Sequence, residues 1–241
     1  MTGRLAPRAG PGLLASVADL GEMETALAAG VDIVDLKNPA AGALGAWAPS
    51  ALEAAVARWR AAGAPAGLSA TVGDHPLDAS VLRAAAERTA AAGVPLVKIG
   101  FPLADADTLA DVLAALSPLA GKTRLIAVLF ADQRPDLAVV PQFARAGFHG
   151  IMLDTADKAG GSLLAHLPVA TLARFVDSAR ALGLLTGLAG SLRLADIAPL
   201  AALGPDYLGF RGALCAQGRT GALDPARLAG VREALGRRLA A

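Results

Sequence analysis

The sequence predicts an α/β chain folded as a single-domain (β/α)8 TIM barrel, and three observations carry that expectation. Eight short apolar runs alternate with longer Ala- and Leu-rich runs of helical period, most pairs being separated by Gly, Pro or Asp. No Ser-, Gly- and Pro-rich spacer divides the chain into halves. Eight βα units within 241 residues match the length and count of one closed barrel. An open doubly wound sheet is the rival architecture, but it would want a G-x-G-x-x-G turn after its first strand, and "LLASVADLGE" has none.

In chain order, "MTGRLAPRAGP" (1–11) reads as an extension, and "GLLASV" (12–17) is the first strand of a barrel domain over 12–241. The helical pattern "DLGEMETALAAG" (19–30) follows and stops at a Gly, the residue expected just past a helix C-terminus. "DIVDLK" (32–37) is the second strand, followed by "PSALEAAVARWRAAG" (49–63), with Pro at its start and Gly at its end. "AGLSAT" (66–71) and "PLVKIG" (95–100) flank the helical run "PLDASVLRAAAERTAAAG" (76–93). "RLIAVLF" (124–130) and "HGIMLD" (149–154) are the fifth and sixth strands. After "PVATLARFVDSARALG" (168–183), "LLTGLAG" (184–190) and "DYLGFRG" (206–212) complete the eight.

Composition excludes several function classes. A net charge of +1 argues against a nucleic-acid partner. One cysteine, Cys215, permits no intramolecular disulfide and no zinc cluster, so no metal is expected and the compartment reads as reducing. The N-terminus meets acid and glycine before any signal-length apolar core, and no uncharged apolar run of about 18 residues occurs. The expectation is a cytoplasmic protein without membrane partners. His75, His149 and His166 lack metal-ligand spacing, and Trp47, Trp59 and Met152 read as packing residues.

The basic residues are unevenly divided, eighteen Arg against four Lys, so the position of each lysine matters. Lys37, Lys98 and Lys158 fall in or just after strands, where solvating lysines seldom sit. Side chains two residues apart on a strand share a face, so Asp35 and Lys37 point the same way, away from Val34 and Leu36. In a barrel the active site lies at the C-terminal strand ends. The same alternation brings Lys98, Asp154, Ser16, Ser69 and Thr71 to that end of the interior, in place of the aliphatic residues a doubly buried parallel strand should carry.

A lysine inside an apolar barrel, close to a second ammonium, loses hydration and gains repulsion, and both favour the neutral amine. Lys37 and Lys98 could then share class I aldolase chemistry, one forming a Schiff base and the other moving protons, with Asp35 and Asp154 orienting them. A buried Lys37–Asp35 ion pair is the purely structural alternative. "GLAGSLR" (187–193) and "GFRGALC" (209–215) put Gly, small residues and Arg after the last two strands, where barrels bind phosphate. Gly190, Ser191, Arg193, Arg211, Gly212 and Ala213 are the candidate phosphate ligands, with ordinary turn glycines and solvated Arg as the alternative. The loop "TADKAGGSLLAHLP" is long enough for a binding loop or lid, and Lys158 within it follows Asp154 by four positions.

The segments "AGVDIVDLKNPAAGALGA", "VPLVKIG", "GIMLDTADKAGGSLL", "GLAGSL" and "LGFRGALC" together resemble the (5-formylfuran-3-yl)methyl phosphate synthase family, also called 4-(hydroxymethyl)-2-furancarboxaldehyde-phosphate synthase. The resemblance runs from about residue 12 to residue 238. It implies a barrel that condenses two glyceraldehyde 3-phosphate molecules into a phosphorylated furan, releasing phosphate and water, on the way to a methanofuran-type cofactor. It further implies that Lys37 in "DLKNP" is the Schiff-base lysine, that Lys98 in "VKIG" transfers protons, and that Asp35, Asp154 and Lys158 support them. No cofactor is implied, and a triose phosphate is the small-molecule partner. An Asp-x-Lys decarboxylase acting on sugar phosphates is a rival, but it wants Asp-x-Lys-x-x-Asp, and the last position here is Ala40. A non-catalytic barrel binding a sugar phosphate is a second rival. A homo-oligomer is expected, because barrels of this size commonly associate through their helix ring.

Overall fold

The computed structural model describes residues 10–236, so residues 1–9 of the expected extension and residues 237–241 lie outside the described chain. Eight parallel strands pair in chain order and close, β8 on β1, which excludes the open sheet. They are β1 Gly12–Val17, β2 Ile33–Leu36, β3 Gly67–Thr71, β4 Leu96–Phe101, β5 Arg124–Phe130, β6 Gly150–Asp154, β7 Leu185–Leu188 and β8 Tyr207–Phe210. The connecting helices are α1 Leu20–Ala28, α2 Pro49–Ala61, α3 Ala79–Ala91, α4 Ala106–Ala120 and α5 Val140–Arg145. They continue with α6 Leu163–His166, α7 Val169–Ala181, α8 Leu194–Ala201 and α9 Pro225–Gly236, so the sixth unit carries a short extra helix before its main one.

Strand count and order are as the sequence predicts, and the differences are at the edges. β7 ends at Leu188 because Gly190 and Ser191 turn left-handed, at φ +107° and +45°. β8 ends at Phe210 because Arg211 leaves the extended region (ψ −67°). Lys37 falls one residue past β2, yet its N–H still reaches the Val17 carbonyl at 3.1 Å, so it keeps the strand's direction and its inward side chain.

Period-two alternation divides the apolar residues into two layers. In β4, Val97, Ile99 and Phe101 pack outward against the helices, while Leu96 joins Leu14, Ile33, Ile126 and Met152 inside the barrel. Full burial of each large aliphatic side chain stabilises the fold by about 1.5–3 kcal/mol, so both layers contribute. No helix among the described residues is long and apolar enough to cross a membrane.

The interior layer depends on one close approach. Tyr207 is 1% exposed and its ring crosses the barrel beside Gly187, where a Cβ would lie 2.3 Å from Tyr207 Cζ. A methyl group cannot be accommodated there without moving the ring or the strand. Gly187→Ala should therefore lower the unfolding free energy by about 1–3 kcal/mol, seen as a lower urea midpoint at unchanged slope. A midpoint equal to that of the unsubstituted protein would show that the Tyr207 ring shifts freely.

Candidate active site

Strand register brings the polar interior residues together. Asp35 on β2 is paired across the sheet with Ser16 on β1 and Ser69 on β3, and Lys98 on β4 pairs with Thr71 on β3. Asp35 is fully buried, and it accepts hydrogen bonds from Ser16 Oγ (2.9 Å), Ser69 Oγ (2.7 Å) and Lys98 Nζ (3.0 Å). Its carboxylate is saturated by three donors on three different strands. The ion pair of Asp35 is thus with Lys98, and Lys37 turns instead to Asp154, with Nζ 3.6 Å from Oδ2.

Asp154, the last residue of β6, binds a second ammonium. Its Oδ1 accepts from Lys158 Nζ at 2.6 Å and from the Thr155 N–H at 2.8 Å. Lys158 also donates to the Thr155 carbonyl. Three ammonium groups therefore share two buried carboxylates, an arrangement with one positive charge in excess.

The ionisation behaviour follows from that geometry. Burial alone would raise the pKa of Asp35, but the Lys98 and Lys37 ammoniums and the Ser69 hydrogen bond outweigh it and hold the group below the usual carboxylate value. Burial likewise opposes ionisation of Asp154, and Lys158 and Lys37 override it, keeping Asp154 well below the ordinary range. For Lys98, burial is the largest influence and lowers the pKa; the Lys37 charge adds to the fall, and Asp35 opposes it. Lys158 is lowered by burial in the same way, with Asp154 opposing. The cluster keeps its acids ionised and makes loss of a proton easier at two of its lysines.

The loop after β2 is braced so that Lys37 has a fixed origin. Asn38 N–H closes the loop onto the Gly45 carbonyl (2.8 Å), Thr71 Oγ1 donates to the same carbonyl (3.0 Å), and Asp74 accepts the Leu44 N–H. Thr71 thus supports the backbone of the lysine loop. On the far side, Ser191 Oγ donates to the Lys158 carbonyl at 3.1 Å, which ties the lysine-bearing loop to the turn after β7.

A cavity of about 590 Å³ opens at this end of the barrel, within the size range of small-molecule sites. Lys37, Lys98, Asp154 and Lys158 form one part of its wall, and Gly190 to Arg193 with Gly212 and Ala213 form another. Asp35 lies behind Lys98 and is not part of that wall. At Gly190 a Cβ would sit 2.9 Å from Thr155 Cγ2, so the glycine supplies both the left-handed turn and the close approach to β6. Two consecutive left-handed residues, Gly190 and Ser191, line the cavity just ahead of the α8 N-terminus, a position where backbone N–H groups and the helix dipole favour an anion. Arg193 at the N-cap of α8 is solvent-exposed and lines the same space.

Arg211 lines the same cavity, but its donors are engaged within the protein. Its guanidinium makes a buried ion pair with Glu22 and donates from Nε to the Arg219 carbonyl (2.7 Å), from Nη1 to the Ser16 carbonyl (3.2 Å) and from Nη2 to the Gly221 carbonyl (2.8 Å). Glu22 in turn accepts the Leu223 N–H at 2.9 Å and the Ala18 N–H at 2.6 Å. The donors of Arg211 are thus used inside the protein, bracing the loop after β8 against the loop after β1. Glu22 and Arg219 were not among the residues singled out in the sequence. For Glu22 a local signal exists in its place three residues after the helix cap Asp19, which accepts its N–H, although Glu22 itself accepts from Ala18, one residue before the cap. Arg219 carries none.

A family model described as 4-HFC-P synthase matches residues 13–232. A relative from Methylorubrum extorquens, provisionally named (5-formylfuran-3-yl)methyl phosphate synthase, is 45% identical over 226 residues, covering 93% of this chain and 92% of the relative. The (5-formylfuran-3-yl)methyl phosphate synthase of Methanococcus aeolicus is 35% identical over 218 residues, covering 86% of this chain and 91% of its own. Among solved structures, phosphoribosyl anthranilate isomerase from Thermus thermophilus superposes with a TM-score of 0.64 at 16% identity, covering 94% of this chain and 99% of that one, a likeness of fold alone.

The Glu22–Arg211 pair makes stability depend on acid pH. Burial by itself raises the pKa of Glu22, and the Arg211 hydrogen bond with the Ala18 and Leu223 N–H groups overcomes it, leaving the folded value below the unfolded one. Its contribution is complete above the unfolded value of about 4.3 and is lost as pH falls through the folded value, because the unfolded chain then binds more protons. Glu22→Gln should therefore cost about 3–5 kcal/mol at neutral pH by leaving a buried guanidinium unpaired. It should also flatten the acid limb of stability against pH in denaturant titrations, with the limb due to Asp35 and Asp154 remaining. An acid limb as steep as in the unsubstituted protein would show that Glu22 titrates normally.

Proposed function

The chain belongs to the 4-HFC-P synthase family, and from that membership we propose that it condenses two molecules of glyceraldehyde 3-phosphate into (5-formylfuran-3-yl)methyl phosphate through a Schiff base on Lys37, in the formation of a methanofuran-type cofactor. The observation that carries the reading is the excess of one ammonium over the two buried carboxylates at the barrel mouth. Such a cluster is relieved by losing a proton from one lysine or by receiving an anion, and an amine attacking the carbonyl of a phosphorylated substrate does both.

Lys37 is the nucleophile in this reading because its one carboxylate lies at 3.6 Å, beyond hydrogen-bond length, while Lys98 and Lys158 are held at 3.0 and 2.6 Å. Lys98 takes the α-proton from the imine to give an enamine, which adds to the aldehyde of the second triose phosphate. Its pKa, lowered by burial, suits it to accept that proton, and Asp35 keeps the ammonium so formed in place. Asp154 and Lys158 serve the later proton transfers at hydroxyl groups. Ring closure, dehydration and elimination of one phosphate complete an aromatic ring, and the sum releases one phosphate and two waters. The cradle of Gly190, Ser191, Arg193, Gly212 and Ala213 holds a substrate phosphate through backbone N–H groups and the α8 N-terminus, with Arg211 as the brace of the adjoining loop.

Incubation with glyceraldehyde 3-phosphate should give a furan ultraviolet absorbance together with phosphate release. An Asp-x-Lys decarboxylase would give neither from this substrate. Borohydride added during turnover should leave a reduced triose-phosphate adduct on the peptide containing "IVDLKNP", and Lys37→Arg should abolish adduct and product alike. Lys98→Ala should still form the adduct while losing about 10²–10⁴-fold in furan formation. An adduct mapped to Lys98 or Lys158 would reverse the roles, and furan formation without any adduct would rule out the covalent route.

A further inference from the structure

Arg219 lines the cavity and spans two loops of the barrel mouth. It lies on the loop after β8, is half-buried, and donates from Nη2 to the Gly42 carbonyl (2.7 Å) on the loop that follows Lys37. Because β1 lies between β8 and β2 in the barrel, this contact carries Arg219 across the mouth above β1. The loop that presents it is stiff. Arg211 holds the Arg219 and Gly221 carbonyls, Glu22 holds the Leu223 N–H, and Cys215 bridges Leu223.

Two features make this guanidinium more than a strap. Among the described residues its Nε and Nη1 donate no hydrogen bond to the protein, so part of its fork remains available on the cavity side. Its charge also acts on Asp154 and on Lys158, which places it within electrostatic range of the lysine cluster. A condensation of two phosphorylated trioses brings two dianions into one cavity. The turn after β7 and the α8 N-terminus can take one of them, and a separate cation is required for the other.

We propose that Arg219 binds the phosphate of the second triose, holding that molecule's aldehyde against the enamine formed on Lys37 from the first triose, whose phosphate occupies the cradle after β7 and β8. The proposal rests on the two-triose condensation and adds a specificity-determining residue to it. The Glu22–Arg211 pair acts as the positioning device, since it fixes the backbone on either side of Arg219.

The probe is sn-glycerol 3-phosphate, which carries the phosphate but no carbonyl and cannot react. Calorimetric titration of the intact protein should count two molecules per chain. Arg219→Ala should count one, with the affinity of the remaining site unchanged. Loss of one charge-assisted guanidinium contact should weaken the second site by about ten- to a hundredfold. A single site in the unsubstituted protein, two undiminished sites in Arg219→Ala, or loss of both sites in that variant would each overturn the proposal. In the kinetic arm, Arg219→Ala should raise the half-saturating glyceraldehyde 3-phosphate for furan formation at least about tenfold while borohydride trapping on Lys37 proceeds at its original rate. Equal loss of trapping and furan would also overturn it. If the unsubstituted protein binds two glycerol phosphates, one of them through Arg219, yet makes no furan, the reaction assignment fails and the two-anion site stands.

Discussion

The rest of this structure depends on an uneven charge balance held out of water. Three ammonium groups and two carboxylates meet, with the hydroxyls of Ser16 and Ser69, at one end of a barrel whose interior is otherwise mainly aliphatic and aromatic. Removing ions from water is costly, and it is offset here because Asp35 and Asp154 each receive several charged or hydrogen-bonding partners. The two acids are not equivalent. Asp35 is enclosed by donors from β1, β3 and β4 and kept from the cavity, so it orients Lys98. Asp154 faces the cavity and divides itself between Lys37 and Lys158. That asymmetry leaves Lys37 with the longest carboxylate contact of the three lysines.

The loops around the mouth have distinct physical tasks. The loop after β2 is pinned by Thr71 and Asp74 and gives Lys37 a rigid base. The loop after β6 folds back through Lys158 and Ser191, so the lysine cluster and the turn after β7 form one continuous wall. The loop after β8 is held by a buried guanidinium and carries a half-buried, cavity-lining one. Each of these supports uses main-chain carbonyls or N–H groups, which hold a loop in place irrespective of the side chains on its outer surface.

Much of the architecture was readable from local pattern. Alternating apolar runs and Gly, Pro or Asp punctuation indicated eight βα units, and all eight strands occur with small changes at their ends. Side-chain alternation also placed Asp35, Lys37, Lys98 and Asp154 on the inner face, because the two-residue period of a strand holds whatever its neighbours are. The pairing among those residues was not readable. Lys37 and Asp35 share a face on one strand, yet Lys98 from β4 takes the carboxylate, because strand register brings it closer than a side chain two residues along.

Arg211 and Arg219 mark the same boundary on the other side of the cavity. Both follow β8, both are arginines near glycines, and nothing in their local sequence tells which one is buried in an ion pair. The distinction comes from Glu22, nearly two hundred residues earlier, which reaches Arg211 only after the barrel closes β8 onto β1. Secondary-structure period and turn chemistry are properties of neighbouring residues, so the strand order and the inward faces were already written along the chain. Which charges pair, which lysine is left loosely held and which guanidinium is consumed in an ion pair depend on contacts between residues far apart in sequence, and those exist only once the sheet has closed.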